Sequence, residues 1–301
     1  MTTAGLLETK LQVNKNVNNW GYTYNRYSPA KKQKENMVDF QSLLDAGAHF
    51  GHLKRKWNPA MAPYIFPMEK NDIHIIDLHK TVAKVNEAAA AMKQIAKNGK
   101  QILFVATKKQ AKEVVAELAT EAGMPYITER WAGGMLTNFQ TIHKAIKKMD
   151  QIEKKSQDGT FEALSKREKL QIQRQSEKLQ KNLGSIKDLK KLPAAIFVVD
   201  VTKEHIAVAE AKRCNIPVFA MVDTNSDPKG IDFMIPANDD ATKSIELIVG
   251  EMVNAIKEGV QERKLEREEN ELKEQPEVKT TRTSARKARK ENNEAEAPAA
   301  E

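Results

Sequence analysis

Strand-length apolar runs constrain this 301-residue chain more than any other feature. Gln101–Ala106, Ala194–Asp200 and Pro217–Asp223 are continuous rather than alternating, and Ile231–Pro236 closes the series. A strand without a polar face is covered on both sides, which is the condition of a parallel sheet between helical layers. The intervening segments agree. Thr107-Lys108-Lys109-Gln110 opens a helix that runs through Ala122 to Gly123, and Glu204 to Cys214 forms another. Strand, helix and strand with tight links imply right-handed crossovers. Asn238-Asp239-Asp240 caps a final helix from Ala241 to Lys257, with Ile245, Ile248, Val249, Met252 and Ile256 on one face.

The series is interrupted. After the short strand Pro125–Thr128 the chain passes through Glu129–Asn138, where Gly133-Gly134 permits backbone with positive φ and close approach. Arg130 and Trp131 precede that corner as a charged fork and a flat face, and Trp131 is either a core residue or a stacking surface. From Thr137 to Leu192 the sequence is Lys-, Gln- and Glu-rich. Ile142, Ala145 or Ile146, Met149 and Ile152 fall at helical intervals, as do Ile172, Gln175, Leu179, Leu183 and Ile186, around a turn at Ser156–Thr160. Stripes this narrow are too thin to bury against a sheet, so residues 137–192 read as an inserted antiparallel coiled-coil hairpin. Its fourteen Lys and Arg against seven Asp and Glu make it basic.

The α/β domain therefore comprises 37–136 and 193–258. Asp39 caps a short helix with Phe40, Leu43 and Leu44 that ends at Gly47, after which Ala48–His52 reads as a turn. Lys54-Arg55-Lys56-Trp57 sets three cations beside an indole, a patch suited to phosphate with a stacking ring. Tyr64–Phe66 and Ile73–Ile76 read as a hairpin across a turn at Met68–Asp72, followed by an Ala-rich helix from His79 to Lys97. Residues 1–36 read as a flexible basic arm. Residues 259–301, with ten cations and eleven anions, read as helix fraying into a largely disordered tail.

The net charge of +8 favours an anionic partner. The lone Cys214 excludes an internal disulfide framework and points to a reducing, cytoplasmic setting. No apolar run reaches membrane-spanning length, and no secretory signal is expected.

A doubly wound sheet invites comparison with nucleotide enzymes, yet Ala106–Lys109 lacks both glycine-rich phosphate loops. Lys108 and Lys109 at a helix start could still hold an external phosphate. His49 and His52 form an H-x-x-H pair, and Asp200, Asp223 and His205 meet near the carboxyl edge; either set could hold a divalent ion, although the two aspartates also suit turns and caps. No cofactor and no catalytic group are expected. The candidates to face a phosphate-bearing partner are Lys54, Arg55, Lys56, Trp57, Lys108, Lys109, Arg130, Trp131, Lys144, Lys147, Lys148, Arg167 and Arg174. A nucleotide-dependent α/β enzyme with a regulatory coiled coil is the alternative, and a coiled-coil adaptor a third class.

Ala46–His52 with Trp57-Asn58-Pro59, Arg130–Asn138, Gln157–Thr160 and Val222–Pro228, in that order across Val38 to Gly259, resembles the bacterial small-subunit ribosomal protein two family. The resemblance implies a flavodoxin-like α/β/α domain with an inserted coiled-coil hairpin. It also implies a non-catalytic role in translation, bound to small-subunit ribosomal RNA beside neighbouring ribosomal proteins, among them the large mRNA-binding ribosomal protein one. Both ends are longer than the family pattern requires.

Overall fold

The computed structural model describes residues 38–70, 72–157 and 165–294. The basic arm expected over 1–36, most of the turn expected at Ser156–Thr160 and the last residues of the expected tail lie outside this set. Helix α1 (Phe40–Asp45) is capped by Asp39, whose carboxylate accepts from the Phe40 N–H at 2.8 Å. Strands β1 (Phe50–Leu53), β2 (Ile65–Lys70) and β3 (Ile73–Ile76) precede α2 (Leu78–Lys97). There follow β4 (Ile102–Val105), α3 (Lys109–Glu121), β5 (Tyr126–Ile127), α4 (Phe139–Gln157) and α5 (Lys166–Leu183). The chain then forms β6 (Ala195–Val199), α6 (His205–Arg213), β7 (Val218–Val222), β8 (Phe233–Pro236) and α7 (Thr242–Glu294).

The main sheet is parallel throughout, in the order β5-β4-β6-β7-β8. Renumbered from its own first strand this is 2-1-3-4-5, the flavodoxin-like order. Strand pleating divides the apolar runs between two cores. Ile102, Phe104, Phe197, Phe219 and Ile235 face one layer with residues of α2, α3 and α7. Leu103, Val105, Ile196, Val198, Val218 and Ala220 face the other, with Ala207, Val208 and Ala211 of α6. All of these side chains except Val208 are fully buried, which is why the strand sequences carry no polar alternation.

Several boundaries differ from the sequence expectation. Ala48–His52 is not merely a turn, because β1 pairs antiparallel with β3 and completes a three-stranded sheet in the order β1-β3-β2. The turn expected from Met68 is mostly strand, since β2 continues to Lys70. α4 and α5 pack against one another, but their apolar stripes are not too thin to meet the sheet: Ile146, Leu183 and Ile186 are buried in the second core, with Ile142, Ala145 and Leu179 against it. Helix α7 does not end at Lys257. Lys93 bridges to Glu258 and Glu262 at 3.0 and 2.8 Å, and Lys97 to Glu266 at 2.6 Å, so charges that look unpatterned along the chain pair with α2. Gly259 lets the helices approach, since a Cβ there would lie 2.4 Å from the Lys93 carbonyl. None of the described helices is long and apolar enough to cross a membrane.

Candidate nucleic-acid interface

Open parallel sheets bind ligands outside the carboxyl ends of their strands, at the point where strand order reverses. Here that point lies between β4 and β6. It is filled by the protein's own polar groups. The Glu204 carboxylate accepts from both the N–H and the hydroxyl of Thr107. The Lys108 ammonium lies 2.7 Å from Asp239 Oδ1, 2.6 Å from Asp240 Oδ1 and 3.4 Å from Asp200 Oδ2. Burial opposes the lysine's charge, but its hydrogen bonds to Asp239 and Asp240 outweigh that and hold its pKa well above the ordinary value. Lys108 is thus buried inside an acidic cage and does not face solvent as the phosphate-binding lysine expected from its place at a helix start. Lys109, the next residue, is exposed.

The small sheet is fixed over the same edge. The His52 N–H donates to Thr224 Oγ1 at 2.8 Å, the Asn58 N–H to the Thr224 carbonyl at 2.8 Å, and the Asn238 N–H to the Ala48 carbonyl at 3.1 Å. This brings His52 Nδ1 to 2.9 Å from Asp223 Oδ2 and its Nε2 to 3.4 Å from Asp240 Oδ2. The hydrogen bond to Asp223 is the main cause of a raised His52 pKa. Asp239 is wholly buried, and that burial, with the charges of Asp223 and Asp200, pushes its carboxyl up to about 7 despite Lys108. One ligand atom from each of His52, Asp223, Asp239 and Asp240 falls within 4.8 Å of the others, a set that could hold a divalent cation.

Neither of the two residue sets weighed from sequence as possible ion sites is assembled as such. His49 packs at a tilt against Phe50 with ring centroids 4.0 Å apart, while His52 joins the aspartates. Exposed His205 turns its Nδ1 toward the Thr202 carbonyl at 3.3 Å, and Asp200 faces Lys108. Asp239, expected as a helix cap, serves the cluster instead, and the Asn238 side chain accepts from the Asp240 N–H. Sequence spacing does not mark Asp239 and Asp240 for ion binding, because their histidine partner on β1 lies far away along the chain.

At the corner, Trp131 resolves as a core residue. It is 7% exposed, and its indole N–H donates to Glu210 Oε1 at 3.2 Å. Glu210 also accepts from the N–H groups of Gly134 at 2.7 Å, Leu136 at 2.9 Å and Thr137 at 3.2 Å. Burial pushes this carboxyl up, and those donors together bring it below the ordinary value. Of the two glycines only Gly134 takes positive φ, at 87°. Glu210 organises the corner, yet reads in sequence as an ordinary polar position of α6.

The remaining candidates present charge to solvent. Lys54, Arg55 and Lys56 are exposed on a 3-10 turn after β1, and half-buried Trp57 leans on His74 with centroids 5.1 Å apart. Arg130 is exposed, as are Lys144, Lys147 and Lys148 on α4 and Arg167 and Arg174 on α5.

The family model for ribosomal protein S2 matches residues 43–259. A Porphyromonas gingivalis protein described as small ribosomal subunit protein uS2 is 73% identical over 230 residues, covering 76% of this chain and 82% of its own. The protein of that description from Parabacteroides distasonis is 70% identical over the same shares. The one from Bacteroides fragilis is 63% identical over 260 residues, 86% of this chain and 93% of its own. The chain belongs to the ribosomal protein S2 family.

Proposed function

We propose that this chain is a structural component of the small ribosomal subunit, in the cytoplasm, and that it binds small-subunit ribosomal RNA through exposed cations on three elements. These are the turn Lys54–Lys56 with Trp57 beside it, the Glu129–Asn138 corner at Arg130, and the basic projection of α4 and α5 through Lys144, Lys147, Lys148, Arg167 and Arg174. Lys109 adds a cation at the start of α3. Lys108 leaves the RNA-facing set, since it is caged by carboxylates, and Trp131, with its indole N–H bound to Glu210, offers at most a buried wall rather than a stacking face. The observation that carries this reading is the two-to-one cationic excess of residues 137–192. Phosphate contacts supply affinity and shape positions the protein. We read 137–192 as an inserted coiled-coil hairpin rooted in the second core.

Neighbouring ribosomal proteins have a surface to meet. Phe50 and Phe66 both pair with Ile75 across the small sheet and stand 45% and 44% exposed, an apolar row that suits a protein partner such as the large mRNA-binding ribosomal protein one. A nucleotide-dependent enzyme is disfavoured, because the crevice a nucleotide would enter is crossed by the Thr107–Glu204 and Lys108–Asp239 contacts.

The test is binding of the purified chain to transcribed small-subunit ribosomal RNA at increasing salt. Affinity is expected to fall at least tenfold between about 50 and 200 mM, as a multi-phosphate interface requires. A nearly flat response excludes such an interface.

A further inference from the structure

Beside the corner lies a cleft of about 280 Å³ lined by Arg130, Trp131, Ala132, Gly133, Asn182 and Leu183. It sits where the loop after β5 meets the end of α5, so it joins two of the proposed RNA-facing elements. The geometry points to a subsite for one unstacked base of single-stranded RNA, a reading that rests on the RNA-binding function proposed above.

Size is the first ground. The cleft falls just below the roughly 300 Å³ at which pockets for drug-sized ligands begin, which suits a single base better than a nucleotide cofactor. Its chemistry is the second. Trp131 and Leu183, 7% and 6% exposed, and Ala132 give it apolar walls, and Arg130 and Asn182 are the lining residues with polar side chains. Among the described residues neither the Arg130 guanidinium nor the Asn182 amide has a hydrogen-bond or ion-pair partner. An amide offers both donor and acceptor to a base edge, and a planar guanidinium takes a phosphate bidentately or stacks on a base.

Two further features prepare the cleft for an anionic chain. The Glu210 carboxylate holds the loop by the Trp131 indole and the Gly134 and Leu136 N–H groups, so the walls are set before a ligand arrives. The adjacent carboxylate, Glu129, is neutralised by Lys112 at 3.4 Å and Lys181 at 3.5 Å. A paired base cannot enter, because its edge is occupied and its faces are stacked; an extruded one can.

Gly133 makes the proposal testable. A Cβ built there meets nothing within 4 Å, and its backbone is outside the positive-φ region, so Gly133→Phe is tolerated by the fold and adds a bulky ring at a residue that lines the cleft. The full-length chain and this variant are titrated against a labelled single-stranded oligoribonucleotide of about ten residues, and against a duplex of matched phosphate count. Asn182→Leu is measured in parallel, and thermal melting checks the fold. The expected result is a loss of single-strand affinity of about tenfold or more in Gly133→Phe, a smaller loss in Asn182→Leu, and less than about twofold change on the duplex. Unchanged single-strand affinity in both variants overturns the subsite and leaves the RNA-binding reading intact. Equal losses on single strand and duplex also overturn it. Failure of the wild-type chain to bind either RNA removes both.

Discussion

The Lys108 ammonium lies 2.7 Å from a carboxylate oxygen of Asp239, a residue 131 positions away, at the carboxyl edge of the main sheet. This contact neutralises part of a cluster in which Asp200, Asp223, Asp239 and Asp240 converge with His52. It does not neutralise all of it. Asp239 keeps its proton up to about 7 because it is buried beside Asp223 and Asp200.

Stability should therefore fall as pH rises through two windows. A carboxyl that holds its proton more tightly in the folded chain than in the unfolded one loses stabilising influence from its ordinary value of 3.8 up to about 7. His52, raised above 6.5 chiefly by its hydrogen bond to Asp223, stabilises below that value and ceases to as pH climbs through its raised one. Asp239→Asn should flatten the pH dependence of denaturant midpoints between about 4 and 7 relative to wild type. An unaltered slope in the variant would show that Asp239 does not titrate there.

Replacing Glu210 should cost more than any surface change. Glu210→Ala leaves the Trp131 indole and the Gly134 and Leu136 N–H groups without their acceptor, and orphaned buried donors cost about 1–3 kcal/mol each. A loss of about 3 kcal/mol is expected in chemical denaturation. Glu210→Gln, which keeps an acceptor oxygen, should lose less. The lowered Glu210 carboxyl adds stability that is present above the ordinary value of 4.5 and is lost as pH falls through the lowered one, so the wild-type advantage should shrink in acid. A cost below about 1 kcal/mol for Glu210→Ala at neutral pH contradicts the clamp.

Helices α4 and α5 differ in energetic role along their length. Ile146 of α4, Leu183 at the end of α5, and Ile186 and Leu189 just beyond it are buried in the second core. Residues further out, such as Lys154 and Arg174, are exposed. Joining Asp150 to Lys178 through a short Gly/Ser linker should keep a cooperative transition. Joining Leu136 to Pro193 removes all of those buried apolar side chains and, at about 2–5 kcal/mol each, should abolish the cooperative transition or nearly so. Equal stability of the two deletions would mean that those side chains contribute nothing to the core.

The main sheet is legible in sequence because both its faces are buried, so each strand declares itself without help from its neighbours. Helix caps are legible for the same local reason, as Asp39 shows. β1 is not: Phe50-Gly51-His52-Leu53 has no strand-like pattern, and only its pairing with β3 and its contact to Thr224 make it a strand. Lys108 and Lys109 look alike in sequence, yet one is caged by a carboxylate far along the chain and the other is outside that cage. Glu210 escapes a sequence reading because its partners are backbone N–H groups at the corner, which no residue pattern reveals. The exposed cations are legible as residues, whereas their division among three elements requires the fold.

The most direct measurement is co-sedimentation of the tagged full-length chain with small ribosomal subunits depleted of the endogenous protein. The chain is expected to migrate with the subunit peak near physiological salt. Replacing Lys54, Arg55 and Lys56 with Ala should weaken the association and lower the slope of log affinity against log salt by up to about 3, at roughly 0.7–0.9 for each phosphate no longer neutralised. A wild-type chain that remains at the top of the gradient, or a triple variant indistinguishable from wild type in both affinity and slope, would contradict an RNA interface built on these cations.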